Sequence, residues 1–205
     1  MAEADERVFF AAGHYPDNSG PPDRDALAEL LRHPRCVAVG EVGLDFGEGY
    51  APPGRQMAWF ETMLDLAEEF GLPVSVHIRG TERQVFEALR RRAGIRGVWH
   101  YFAHDWPWAE RYLELGFFLS FAGLVTRPAQ AVLRGIARMC PADRLLLETD
   151  APWGTPQTRR GARNRPAYLI DTARVVAAER GVELEELAAL EARNAANVFR
   201  KLSEL

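Results

Sequence analysis

Four short apolar runs in this chain each end in a side chain able to bind a divalent metal. They are CVAVGE ending at Glu41, LPVSVH ending at His77, IRGVWH ending at His100 and RLLLETD ending at Asp150. Short apolar runs bounded by turn residues read as buried strands. Helix-period segments separate them, and that alternation argues for a parallel sheet with helices outside. In a (β/α) barrel the polar side chains at the C-terminal ends of the strands build the active site.

The rhythm runs through the whole chain. Strands are predicted at Arg7–Gly13, Arg35–Gly43, Leu72–Ile78, Gly97–Phe102, Gly116–Phe121 and Arg144–Glu148. Helices are predicted at Asp25–His33, Arg55–Phe70, Glu82–Ala93, Pro107–Leu115, Pro128–Cys140 and Pro166–Arg180, with two final helices at Leu184–Leu190 and Arg193–Leu202. The clearest is Arg55–Phe70, where Met57, Phe60, Leu64 and Ala67 share a face and Gly71 ends the run. The fold class is therefore α/β, a TIM-type barrel with six strands. A closed barrel has eight strands and about 250 residues, so this reading is two strands short. A single domain spanning the 205 residues is expected, since the chain is 47% apolar and can bury one substantial core.

Strand parity is a first test of the site. Side chains two apart share a strand face. Val37, Val39, Glu41, Gly43 and Asp45 lie on one face, Ser75 with His77 on another, then Val98 with His100, and Leu146, Glu148 and Asp150. Glu41, His77, His100 and Asp150 could thus point toward one axis. Two histidines and a carboxylate suit Zn, Mn or Fe, and a second carboxylate adds a harder oxygen ligand.

The same segments resemble the TatD family of metal-dependent deoxyribonucleases. GEVGLDF (Gly40–Phe46) is similar to its GE-[IV]-GLD-[YF] signature, with Gln56 and Phe60 at the family's spacing. VHIR (Val76–Arg79) resembles its HxR strand end, WHYF (Trp99–Phe102) its HxF, and LSFAGLVT (Leu119–Thr126) its SFSG segment. LLLETDAPW (Leu145–Trp153) is close to ETDAP, NRPAYL (Asn164–Leu169) to NEPAYL, and RNAANVF (Arg193–Phe199) to NAxxLF. The resemblance runs from about Phe9 to Leu202 with every motif in order.

The resemblance implies a divalent cofactor of one or two ions, Mg, Mn or Zn. Glu41 would bridge two ions, His77 and His100 would complete the protein ligands of one, and Asp150 would bind the other. Asp150 and Glu41 would be catalytic, Asp150 by orienting or deprotonating the attacking water. Glu148 and Asp45 would support the ligands, and Arg79 could reach a phosphate oxygen or pair within its loop. The implied activity is phosphodiester hydrolysis, with DNA as the expected substrate.

The sequence departs from the family in three places. No HxH pair occurs anywhere in the chain, so the strand holding the second ion's histidines is absent or lies upstream of Met1. The family's G-[IV]-H-P is replaced by Gly13-His14-Tyr15-Pro16, which moves the histidine by one position and so to the other strand face. The segment after HxF reads AHDWPW, where His104 and Asp105 are extra ligands or, as favoured, a solvated loop.

Charge adds one feature of this chain's own. Net charge is −4, which argues against a broad basic surface, yet Arg159, Arg160, Arg163 and Arg165 crowd the loop after ETDAPW. A concentrated basic loop beside a metal centre suits a phosphate-bearing polymer. Trp106, Trp108 and Trp153 are candidate base-stacking platforms. The alternative is a catalytically impaired subunit that binds nucleic acid or a protein through the arginine loop. In that reading a second copy or a partner chain would cover the open strand edges. The two cysteines form no paired framework, and no secretory leader or apolar stretch of membrane-spanning length is visible. The cytoplasm is therefore the expected compartment, with no membrane partner.

Overall fold

A computed structural model describes residues 5–203. Strands and helices alternate along the chain, with six strands among the described residues, as in a TIM-type barrel. The chain groups into two compact units. One comprises the residues up to Val98 together with those from Val198, the other Trp99–Asn197. Among the described residues no helix is long and apolar enough to cross a membrane.

The first unit holds β1 (Phe10–Ala12), α1 (Arg24–Arg32), β2 (Cys36–Asp45), α2 (Pro53–Phe70), β3 (Val74–Arg79) and α3 (Glu82–Arg90). β1 pairs parallel with β2, and β2 with β3. Strand β2 is the spine: nine of its ten residues are buried and only Glu41 is partly open. Strands covered on both faces read as continuous apolar runs, which is how this one appears in the sequence. Helix α2 buries Phe60, Met63, Leu64, Leu66 and Ala67, and Gly71 ends it in the left-handed conformation at φ 62°.

Close packing of β2 on β3 explains one glycine. A Cβ at Gly43 would lie 1.9 Å from the carbonyl oxygen of His77, and Gly43 has φ +148°. Gly43 and His77 are register partners across the strand pair. No larger residue fits there without separating the strand that carries Glu41 from the one that carries His77.

Strand β4 (Gly97–Trp99) ends earlier than predicted, because Tyr101 takes a left-handed φ of 49° and turns the chain. In the second unit follow α4 (Trp106–Glu114), β5 (Phe118–Phe121), α5 (Ala131–Met139), β6 (Leu145–Leu147), α6 (Leu169–Arg180) and α7 (Leu184–Val198). β5 pairs parallel with β6 from Leu119↔Leu145 to Phe121↔Leu147. A 3-10 turn at Gly123–Thr126 precedes α5, so the helix predicted from Pro128 begins at Ala131. The two short final helices are corrected as well. Leu184–Val198 is one continuous helix with a 3-10 turn after it at Arg200–Ser203. Its Asn194, just past the predicted break at 191–192, is buried and donates to the carbonyls of Ala142 and Leu145, which anchors the helix there.

Candidate metal centre

Each unit carries a histidine held between two carboxylates. In the first, His77 sits near the end of β3. Its Nδ1 lies 3.0 Å from Glu41 Oε1 and its Nε2 3.0 Å from Asp45 Oδ2. Asp45 is wholly buried and its other oxygen accepts the Gly47 N–H at 2.9 Å. Buried Gln56 fixes the backbone of Asp45 from both sides. Its Oε1 accepts the Asp45 N–H at 2.8 Å and its Nε2 donates to the Asp45 carbonyl at 2.6 Å. Burial disfavours the imidazolium of His77, but hydrogen bonds to Glu41 and Asp45 outweigh it and raise the ring's pKa above its ordinary value.

In the second unit His100 follows β4. Its Nδ1 lies 2.8 Å from Glu148 Oε1 and its Nε2 3.5 Å from Asp150 Oδ1. Glu148 is filled with donors, since its Oε1 also accepts the Tyr101 N–H at 3.0 Å and its Oε2 accepts the Ser120 hydroxyl. The left-handed turn at Tyr101 is what aims that N–H. Asp150 also has positive φ, 58°, at the head of the loop after β6. A non-glycine residue in that region is uncommon, and aspartate is among the side chains that tolerate it.

The arrangement brings together Glu41 with His77, and His100 with Asp150. In both sets one ring nitrogen meets a carboxylate that further donors hold in place, Asp45 or Glu148, and the other meets a second carboxylate, Glu41 or Asp150. That is the second-sphere pattern of metal-ligating histidines, where a carboxylate fixes the ring and raises its basicity. The donor chemistry, neutral imidazole plus carboxylate, fits a divalent ion. Among the described residues no group of three or more His, Cys, Asp and Glu side chains is already gathered as a metal cage. The ring nitrogens are engaged by the carboxylates themselves.

The remaining sequence candidates fall in different places. Arg79 is 71% exposed, with its Nη1 3.8 Å from Asp45 Oδ2. Arg159 is committed to an ion pair with Asp171 at 2.8 Å and lies over the Tyr168 ring. Arg160, Arg163 and Arg165 are exposed, as is Trp153 at 73%. Asn164 pins this loop by donating to the carbonyls of Thr149 and Trp153. Asp105 caps α4, accepting the Trp108 N–H at 3.4 Å. His104 lies with its Nδ1 3.6 Å from Asp105 Oδ1.

One residue at the site escaped the sequence reading. Tyr15 places its hydroxyl 3.4 Å from both ring nitrogens of His77, while His14 packs edge-on against Trp59. The signal was the displaced histidine: if His14 moves to the other face, its neighbour Tyr15 takes the vacated one.

Parallel β/α repeats with histidine–carboxylate sets at their strand ends define a protein of the metal-dependent hydrolase class. Comparison with known proteins narrows the class: the TatD related DNase family matches residues 1–200, and the chain belongs to that family. It is 37% identical over 197 residues to the uncharacterized metal-dependent hydrolase YcfH of Escherichia coli K12, covering 95% of this chain and 74% of that protein. It is 36% identical over 208 residues to the 3'-5' ssDNA/RNA exonuclease TatD of Klebsiella pneumoniae, covering 97% and 78% respectively. The crystal structure of YJJV, a TatD homologue from Escherichia coli K12, superposes with a TM-score of 0.91 at 30% identity, over 97% of this chain and 79% of that one.

Proposed function

We propose that this chain is a metal-dependent phosphodiesterase that hydrolyses nucleic acid, DNA foremost. The observation that carries the reading is the twofold occurrence of a histidine between two carboxylates, Asp45–His77–Glu41 and Glu148–His100–Asp150. Names borne by relatives support the substrate class: some are metal-dependent hydrolases, and others are 3'-5' ssDNA/RNA exonucleases.

In this reading Glu41, His77, His100 and Asp150 are the protein ligands of one or two divalent ions, of the Mg, Mn or Zn kind. A bound ion supplies a lowered pKa for water and neutralises charge on the phosphoryl oxygens. Asp45 and Glu148 hold the imidazoles in one tautomer and orientation, so the remaining nitrogen keeps its lone pair for a ligand. Asp150, on its left-handed turn, orients the attacking water and accepts its proton. Arg160, Arg163 and Arg165 give the loop after β6 a positive face for backbone phosphates, and Arg79 reaches the same kind of oxygen. Arg159 acts through its pair with Asp171, fixing the shape of that loop. Exposed Trp153 offers a face on which a base can stack.

The test is hydrolysis of a 5′-labelled single-stranded DNA by the full chain, with and without added Mg, Mn or Zn. Wild type cleaves only when metal is supplied, and Glu41→Ala and Asp150→Ala each lose most of the activity. Absence of cleavage with every metal would overturn the reading. Cleavage surviving both substitutions would place the chemistry elsewhere.

A further inference from the structure

Tyr15 lies on the segment after β1, and contacts within the first unit fix its place. Its ring meets that of His77 edge-on with centroids 5.0 Å apart, and lies 6.0 Å from that of Tyr50. The Pro16 carbonyl accepts the Ala51 N–H at 3.2 Å, and Asn18 donates to the Gly49 carbonyl at 2.7 Å. The segment is thereby tied to the loop after β2. His14 packs elsewhere, on Trp59 of α2. Gly13 and Pro16 keep their places in G-[IV]-H-P, so Tyr15 puts a phenol where that motif has an imidazole.

The hydroxyl is close to His77 without being committed to it. It lies 3.4 Å from Nδ1 and 3.4 Å from Nε2. Each ring nitrogen has one in-plane hydrogen-bonding site, and those sites meet Glu41 and Asp45 at 3.0 Å. A point equally far from both nitrogens is in line with neither. The Tyr50 side chain also comes within hydrogen-bonding influence of the Tyr15 hydroxyl. A second phenol can accept or donate, and so orients the first without consuming its only polar atom. A phenol keeps its proton at neutral pH, so Tyr15 offers a neutral donor beside the Glu41–His77 pair. The phosphorus of a phosphodiester carries only acceptor oxygens.

We propose that Tyr15 is a catalytic residue of this site, its hydroxyl donating a hydrogen bond to a non-bridging oxygen of the scissile phosphodiester. The inference rests on the hydrolytic reading of the Glu41–His77 pair. A donor aimed where negative charge gathers stabilises the transition state more than the bound substrate. The hydroxyl keeps its proton throughout and adds no charge between Glu41 and His77.

The test compares the full wild-type chain with Tyr15→Phe, which keeps the ring against His77 and removes only the hydroxyl. Both are assayed with Mn on single-stranded DNA whose scissile bond carries an ordinary phosphate, an Rp phosphorothioate or an Sp phosphorothioate. Mn content is measured on the same preparations. In Tyr15→Phe kcat is expected to fall about 100-fold, with KM, Mn content and melting temperature unchanged. Sulfur is a weak acceptor. One diastereomer should therefore slow wild type far more than it slows Tyr15→Phe, while the other slows both alike. An unchanged kcat in Tyr15→Phe, or phosphorothioate effects that are the same in both proteins, would overturn the proposal. A fall in Mn content that accounts for the lost rate would also overturn it and make Tyr15 a support for the ligands. A wild-type chain that cleaves nothing would overturn the hydrolytic reading and this inference with it. Cleavage by wild type at a rate the variant matches would overturn this inference alone.

Discussion

The Nε2 of His77 lies 3.0 Å from Oδ2 of Asp45, a carboxylate with no solvent exposure. An enclosed carboxylate behind a histidine fixes which nitrogen carries the proton and which is left for a ligand. Asp45→Asn keeps the shape and removes the charge. Metal affinity is expected to fall about 10–100-fold, by analogy with other second-sphere changes. Direct titration of Mn or Zn into wild type and variant checks this. Equal affinities would make Asp45 a purely structural residue.

Gln56 stands one step further back. It carries three buried hydrogen bonds, to the Asp45 N–H, the Asp45 carbonyl and the Ala51 carbonyl. Gln56→Ala strands those backbone groups, at about 1–3 kcal/mol for each that finds no water. Urea unfolding should show a drop of about 3 kcal/mol or more. Metal affinity should fall with it, because Asp45 is no longer anchored. A stability within about 0.5 kcal/mol of wild type would contradict this account of how α2 supports the site.

The parallel α/β architecture and the polar strand ends were legible in the sequence because two periods coincide. Strands covered on both faces must be apolar throughout, so Glu41, His77, His100 and Asp150 stood out as polar stops. What the sequence hid was set by backbone geometry. β4 stops at Trp99 because Tyr101 turns left-handed, and no composition signal marks that turn. The break predicted at residues 191–192 is absent, and just past it the Asn194 side chain donates to two carbonyls of the neighbouring segment while α7 runs on. Asp105 looked like an extra ligand or a solvated charge, and it caps a helix. Tyr15 was hidden by a one-residue displacement that periodicity alone could not place. The arginine cluster was visible as charge, but only the ion pair to Asp171 separates Arg159 from its neighbours.

Glu191 gives the pH dependence of stability a definite sign. Its folded pKa, about 7, is above the ordinary value of 4.5. The folded state therefore holds a proton that the unfolded chain releases, so this contribution is fully present below pH 4.5 and disappears as pH rises through 7. The change is at most about 3 kcal/mol. Glu191→Gln should flatten the stability profile between these limits, measured by denaturant unfolding at several pH values. An unchanged slope would show that the carboxyl titrates normally.

The arginine loop makes a salt-dependence prediction. Arg160, Arg163 and Arg165 are exposed, and Arg159 is paired. Replacing the three exposed arginines with alanine should weaken binding of single-stranded DNA. The slope of log affinity against log salt should become shallower by about 0.7 for each phosphate that is no longer neutralised. Fluorescence anisotropy over a salt series measures it. A parallel line at unchanged affinity would place the nucleic acid elsewhere.

The most direct test of the central claim is metal content. The chain is stripped with chelator, dialysed against Mn or Zn, freed of excess and analysed by elemental mass spectrometry, alongside His77→Ala and His100→Ala. The account predicts one or two ions per wild-type chain and a reduced metal content in each variant. A wild-type chain that retains no metal, or variants that retain as much as wild type, would contradict it.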